Sequence, residues 1–148
     1  MTLAYIGLAS LSMVVWSMMS RFVTAFIPGM SRAQGVFSLM TSILVALFVI
    51  MTATSMPTLA SQRKQMLYAL AGAALAGLLV FSMIAFMNGT GNMSFAIVEG
   101  FEIDVPVLMC AFTLPLAYYF LQRQNGNRNR NRNRNRNMAN LNRPPSED

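Results

Sequence analysis

Apolar residues do not alternate with polar ones along most of this chain; they run on unbroken, and charges fall in the gaps between the runs. The run at 66–87, MLYALAGAALAGLLVFSMIAFM, holds no charge and is long enough to cross a hydrocarbon core of about 30 Å as a helix. Arg63 and Lys64 stand just before it, and the uncharged Asn88-Gly89-Thr90-Gly91-Asn92 follows. A first run covers 2–20 and resumes after Arg21 until Pro28-Gly29 stops it. A second occupies 35–56 with Pro57 at its exit, and a fourth, VPVLMCAFTLPLAYYFL, fills 105–121. Spans at about 2–27, 35–56, 66–87 and 105–121 predict an all-α, polytopic membrane protein, with a four-transmembrane-helix bundle at 1–122. The short connection before Arg63 forces the second and third spans to run antiparallel.

Within the spans, small residues recur at helical spacing. Ala69, Ala73 and Gly77 lie four apart, with Gly72 and Ala76 alongside; such faces let backbones approach closely and predict helix packing, within the chain or in a homo- or hetero-oligomer with other membrane proteins. In the first span Gly7, Ser10, Val14, Ser17, Arg21 and Thr24 share a stripe, and Ser38, Ser42, Val45, Val49 and Thr52 repeat it in the second. Arg21 is expected to snorkel to the headgroups, the alternative being an inward-facing guanidinium. Asp104 ahead of Val105-Pro106 has the form of an N-cap with proline in the first turn. Pro115 should kink the fourth span and free a carbonyl for Cys110, Thr113 or a neighbouring helix to satisfy. Tyr118 and Tyr119 are placed where an interfacial aromatic belt would lie.

Composition sharpens this picture. The chain of 148 residues is 55% hydrophobic and only 11% charged, with a mean hydropathy of +0.47, against about 25% charge in a soluble domain. Most of the net charge of +6 comes from the region at 123–148, where Arg128, Arg130, Arg132, Arg134 and Arg136 alternate with Asn. Lacking apolar residues to bury, this tail is expected to be disordered, and its charge suits anionic lipid, RNA or another polyanion. Interleaved aromatics that would stack on bases are absent. Of the 11 basic residues only Arg21 and Arg32 fall on the side of the acidic loop, so the positive-inside rule places both termini in the cytosol and that loop, with its sequons at Asn88 and Asn92, outside. The first span has no basic residue ahead of it and no small-residue cleavage site, and is expected to be retained.

Candidate chemistry is sparse. With no histidine and no carboxylate inside a span, nothing activates the many hydroxyls, and the chain is expected not to be an enzyme. Cys110 reads as a small packing residue, and no cofactor is implied. The 14 methionines raise Cu(I) chemistry. Met83 and Met87 beside a small-residue motif resemble the copper-transporter family in those two features alone, while the Met- and His-rich segment that gathers metal there has no counterpart. Flexible core filler is the expected role of these residues. Two functional classes remain: a scaffold or accessory subunit of a membrane assembly, and an oligomeric channel in which Glu99, Glu102 and Asp104 form a cation-attracting mouth. The outline of several spans, minimal loops and a charged tail resembles small membrane-permeabilising proteins of phages and viruses, the holin- and viroporin-like class.

Overall fold

The computed structural model describes residues 1–27, 33–88, 94–98 and 101–141. Helix α1 is Thr2–Ala25, α2 is Gln34–Thr54 and α3 is Arg63–Asn88, entered through a 3-10 turn at Ala60–Gln62. Strands β1 (Ser94–Val98) and β2 (Phe101–Asp104) follow, and α4 runs over Val105–Leu141. Among the described residues four helices are long and apolar enough to cross a membrane, which fits an integral multi-pass protein. The 24 residues of α1 give a rod of about 36 Å, against a core of about 30 Å.

In an apolar surrounding each run can satisfy its backbone N–H and C=O groups only as a helix, and several polar side chains inside the runs bond back to their own turns. Thr41 Oγ1 donates to the Phe37 carbonyl at 2.7 Å, Thr52 Oγ1 to Phe48 at 2.8 Å and Ser82 Oγ to Leu78 at 2.9 Å, so these hydroxyls need no water. Between α2 and α3 the chain turns through bonds from Leu59 N to Met56 O (3.0 Å) and from Gln62 N to Leu59 O (2.9 Å). The closest packing is α1 on α2 and α3 on α4, with α1 also lying along α4; α2 and α3 touch less, although the connection between them is as short as that between α1 and α2.

The interior is built from Ile6, Ala9 and Met13 of α1, Leu39, Ala46 and Ile50 of α2, Met66, Ala69, Leu70 and Ala73 of α3, and Val107, Cys110, Leu114 and Tyr118 of α4. Leu8, Leu44, Phe48, Leu79, Phe86 and Phe112 point outward, leaving an apolar exterior suited to lipid. Gly77 is where α3 comes nearest its neighbours: a Cβ there would stand 3.2 Å from the Pro106 carbonyl oxygen, 3.3 Å from Cys110 Cβ and 3.3 Å from Leu39 Cδ1. Ala69, Ala73 and Gly77 are buried together, while Gly72 is exposed with nothing within 4 Å of its missing Cβ, and Ala76 is half-buried. One residue of offset turns a helix by about 100°, enough to carry Gly72 to the outer face.

Four features depart from the sequence expectation. The all-α fold holds, with the addition of a two-stranded antiparallel hairpin, paired Ser94↔Asp104, Phe95↔Ile103 and Ala96↔Glu102, whose strands are too short to stand out beside the spans. Helix α4 does not end near Leu121 but continues through the Arg/Asn region to Leu141, where a disordered tail is expected from composition. An already formed helix supplies the costly nucleus, so each added residue faces only propagation, and Arg propagates well. Tyr118 is fully buried rather than at an aromatic belt, its hydroxyl donating to Gln62 Oε1 at 2.6 Å; Tyr119 is exposed and meets Phe120 edge-on. Thr113 Oγ1 bonds the carbonyls of Met109 (2.9 Å) and Cys110 (3.1 Å), neither of them the Ala111 carbonyl that Pro115 leaves without an N–H.

Candidate functional site

Polar side chains converge at the hairpin end of the bundle. On α1 the inward face descends from Thr24 through Ser20 and Ser17 to Met13, all buried, and α2 opposes it with Ser38 and Ser42, also buried. Strand β2 then carries Glu102 and Asp104 to the same place just before α4 begins. Arg21 reaches across with both arms. Its Nη1 pairs with Glu102 Oε2, and its Nη2 donates to Asp104 Oδ1 at 2.9 Å. The side chains of Arg21 and Glu102 are 25% and 40% exposed, and that of Asp104 only 5%.

Asp104 is the junction between this ion triad and a run of hydroxyls. Ser17 Oγ donates to its Oδ2 at 3.4 Å and accepts from its backbone N–H at 3.2 Å. Ser38 Oγ donates to Ser17 Oγ at 3.3 Å, and Ser20 Oγ lies 3.1 Å from Ser38 Oγ and 2.8 Å from the Ser17 carbonyl oxygen. A hydroxyl has one proton, so Ser20 serves one of those acceptors at a time. The sequence Ser20 to Ser38 to Ser17 to the Asp104 carboxylate is a directed chain of hydrogen bonds in which each bond polarises the next. Below it Ser42 Oγ donates to the Met13 carbonyl at 3.5 Å, and further polar contact gives way to the apolar interior. Trp16 Nε1 and Arg21 Nε are buried without a partner among the described residues.

This arrangement overturns the snorkelling expectation for Arg21. Two carboxylates are delivered by a hairpin the sequence does not announce, and a guanidinium bound to both gains more than one reaching for headgroups alone. Asp104 does stand immediately before α4, as a cap would, but its two side-chain oxygens go to Arg21 and Ser17. Of the three acids expected at a pore mouth, Glu102 and Asp104 are drawn onto Arg21, and Glu99 lies outside the described residues, as does Arg32. Ser20, absent from the stripe read in the sequence, belongs to the cluster; its spacing from Ser17 and Thr24 is the one signal that points to it. The N-terminal part of the first stripe behaves otherwise. Gly7, Ser10 and Val14 line an open groove of about 390 Å³ against Leu108, Ala111, Phe112 and Pro115 of α4, because a stripe at spacings of three and four drifts around a straight helix.

The methionines do not serve mainly as filler. Met13 and Met66 are in the core, while Met19, Met40, Met51, Met83, Met87 and Met109 are exposed, so the Met83 and Met87 pair faces outward. Among the described residues no group of three or more His, Cys, Asp or Glu side chains could hold a metal ion. Cys110 is buried against the Gly77 face, and Arg128, Arg130, Arg132, Arg134 and Arg136 are exposed along the projecting end of α4. Compared with known proteins, the chain matches no family model, no curated protein and no solved structure.

Proposed function

We propose that this protein is a non-enzymatic integral-membrane scaffold or accessory subunit, with both termini cytosolic and a basic tail that contacts a polyanion. The observation that carries the reading is that the inner polar side chains Arg21, Glu102, Asp104, Ser17, Ser20 and Ser38 bond one another, Arg21 Nε excepted. A conducting lining needs polar groups turned toward water, and a catalytic one needs a group free to move a proton. What remains open to a partner is the exterior, where Gly72 on α3 offers close backbone approach. Arg63, Lys64, Arg123 and the tail, all at the opposite end from Arg21, outweigh Arg21 and Arg32 and set the orientation.

Purification in mild detergent is expected to retain a stoichiometric membrane partner or a second copy, and liposomes containing the purified chain are expected to hold an ion gradient as well as empty ones. Sustained flux from those liposomes would replace the scaffold reading with that of an oligomeric channel. Single cysteines at Gly91 and Asn140 are expected to react with an impermeant reagent from opposite faces of the membrane; labelling of both from one face would reject the orientation.

A further inference from the structure

The continuous helix turns the Arg/Asn alternation into a definite shape. Successive residues of an α-helix are about 100° apart, so every second residue lands nearly opposite the last. Arg128, Arg132 and Arg136 therefore form one row and Arg130 and Arg134 another on the far flank, with Asn rows filling the two faces between them. All these positions through Met138 are exposed, and no acid occurs between Asp104 and Glu147 to neutralise them. Neighbours in a row are about 6 Å apart along the axis and repel each other.

A flat anionic surface can meet only one flank of such a rod. Measured from Gln122, the Arg rows also begin about 9 Å and end about 21 Å along the axis, beyond a Debye length of about 8 Å from a surface at the last apolar turn. A single strand likewise follows one row. What presents phosphates to both flanks at once is a groove walled by two strands. The B-form major groove, about 12 Å wide, admits a helix of about 10–12 Å, and the Asn face between the Arg rows would meet its floor, where Asn side chains pair with adenine edges. The A-form major groove is too deep and narrow for this. Resting on the reading of the tail as a polyanion contact, we infer that residues 128–137 form a groove-binding helix for duplex DNA, both Arg rows holding phosphates of opposite strands.

The test uses the full chain in nanodiscs of neutral lipid, with a short mixed-sequence DNA duplex, its separated single strand, and vesicles of anionic lipid as probes. With five phosphates neutralised, log affinity for the duplex should fall against log salt with a slope of about −4.5, taking about −0.9 per contact. Replacing one row, as R130Q/R134Q, should reduce the slope to about −2.7, and R128Q/R132Q/R136Q to about −1.8. Helicity by circular dichroism checks that the variants keep their fold. Equal affinity for the single strand with a slope of about −2, or a duplex slope unchanged by loss of either row, would overturn the groove while leaving a polyanion-binding tail. Association with anionic vesicles alone would do the same in favour of lipid. Absence of salt-dependent association with all three probes would reject the tail reading itself.

Discussion

The two ends of this bundle handle charge in opposite ways. At the hairpin end one cation and two carboxylates are brought from α1 and β2 to within bonding distance and share partners with buried serines. At the other end Arg128 to Arg136 stand on an exposed helix, with no acid in the sequence between Asp104 and Glu147. Charge near a low-dielectric interior must be matched within the fold, because an unpaired buried ion costs several kcal/mol; charge in water can be left unmatched, and is then available to something outside. The first end is therefore a place where substitution should damage the molecule, and the second a place where it should damage only association.

The largest effect is expected at the junction. Arg21→Met leaves Asp104 buried without its cation and should lower stability by about 3 kcal/mol, read as a shift in detergent or denaturant unfolding. The double variant R21M/D104N should recover most of that loss; no recovery would mean that Arg21 acts without Asp104. Glu102→Gln, at the more exposed arm, should cost about 1 kcal/mol or less. Next comes Gly77→Leu, which drives a side chain into the Pro106 carbonyl and Cys110 and should cost about 1 to 3 kcal/mol, whereas Gly72→Leu meets open space and should leave the isolated chain's unfolding unchanged. Equal loss in both would show that α3 packs by a different face. Ser38→Ala interrupts the hydroxyl chain and should cost about 1 kcal/mol. Smallest of all, replacing the five tail Arg residues by Gln should move the unfolding midpoint of the bundle by no more than about 0.5 kcal/mol in free energy; a larger loss would mean that the contrast between the ends is false.

The four spans can be read in the sequence because few structures besides a membrane helix leave so long an apolar run free of charge, and the buried Ala69, Ala73 and Gly77 lie on a face that spacing alone defines. Direction is harder. Nothing local tells Gly72 that its neighbour lies on the other side of α3, or Tyr118 that Gln62 waits inside rather than headgroups outside. The ion triad is least legible, since Arg21 is 81 and 83 residues from its two partners and depends on a hairpin whose strands leave only a faint pattern. The helical tail escapes for a related reason: composition measures what a segment can bury, not what helix it continues.

The same separation has a consequence for biosynthesis. Arg21 leaves the ribosome long before Asp104, and at about 5–20 residues per second the 83 residues from Phe22 to Asp104 take about 4 to 17 s to be added. Through that interval α1 carries an uncompensated cation at its end, so its final seating is a late event, completed only when β2 and the start of α4 emerge. A chain stalled before Glu102 should hold α1 in a shallower position at the insertion machinery than the finished protein does, with residues near Arg21 still open to a water-soluble label.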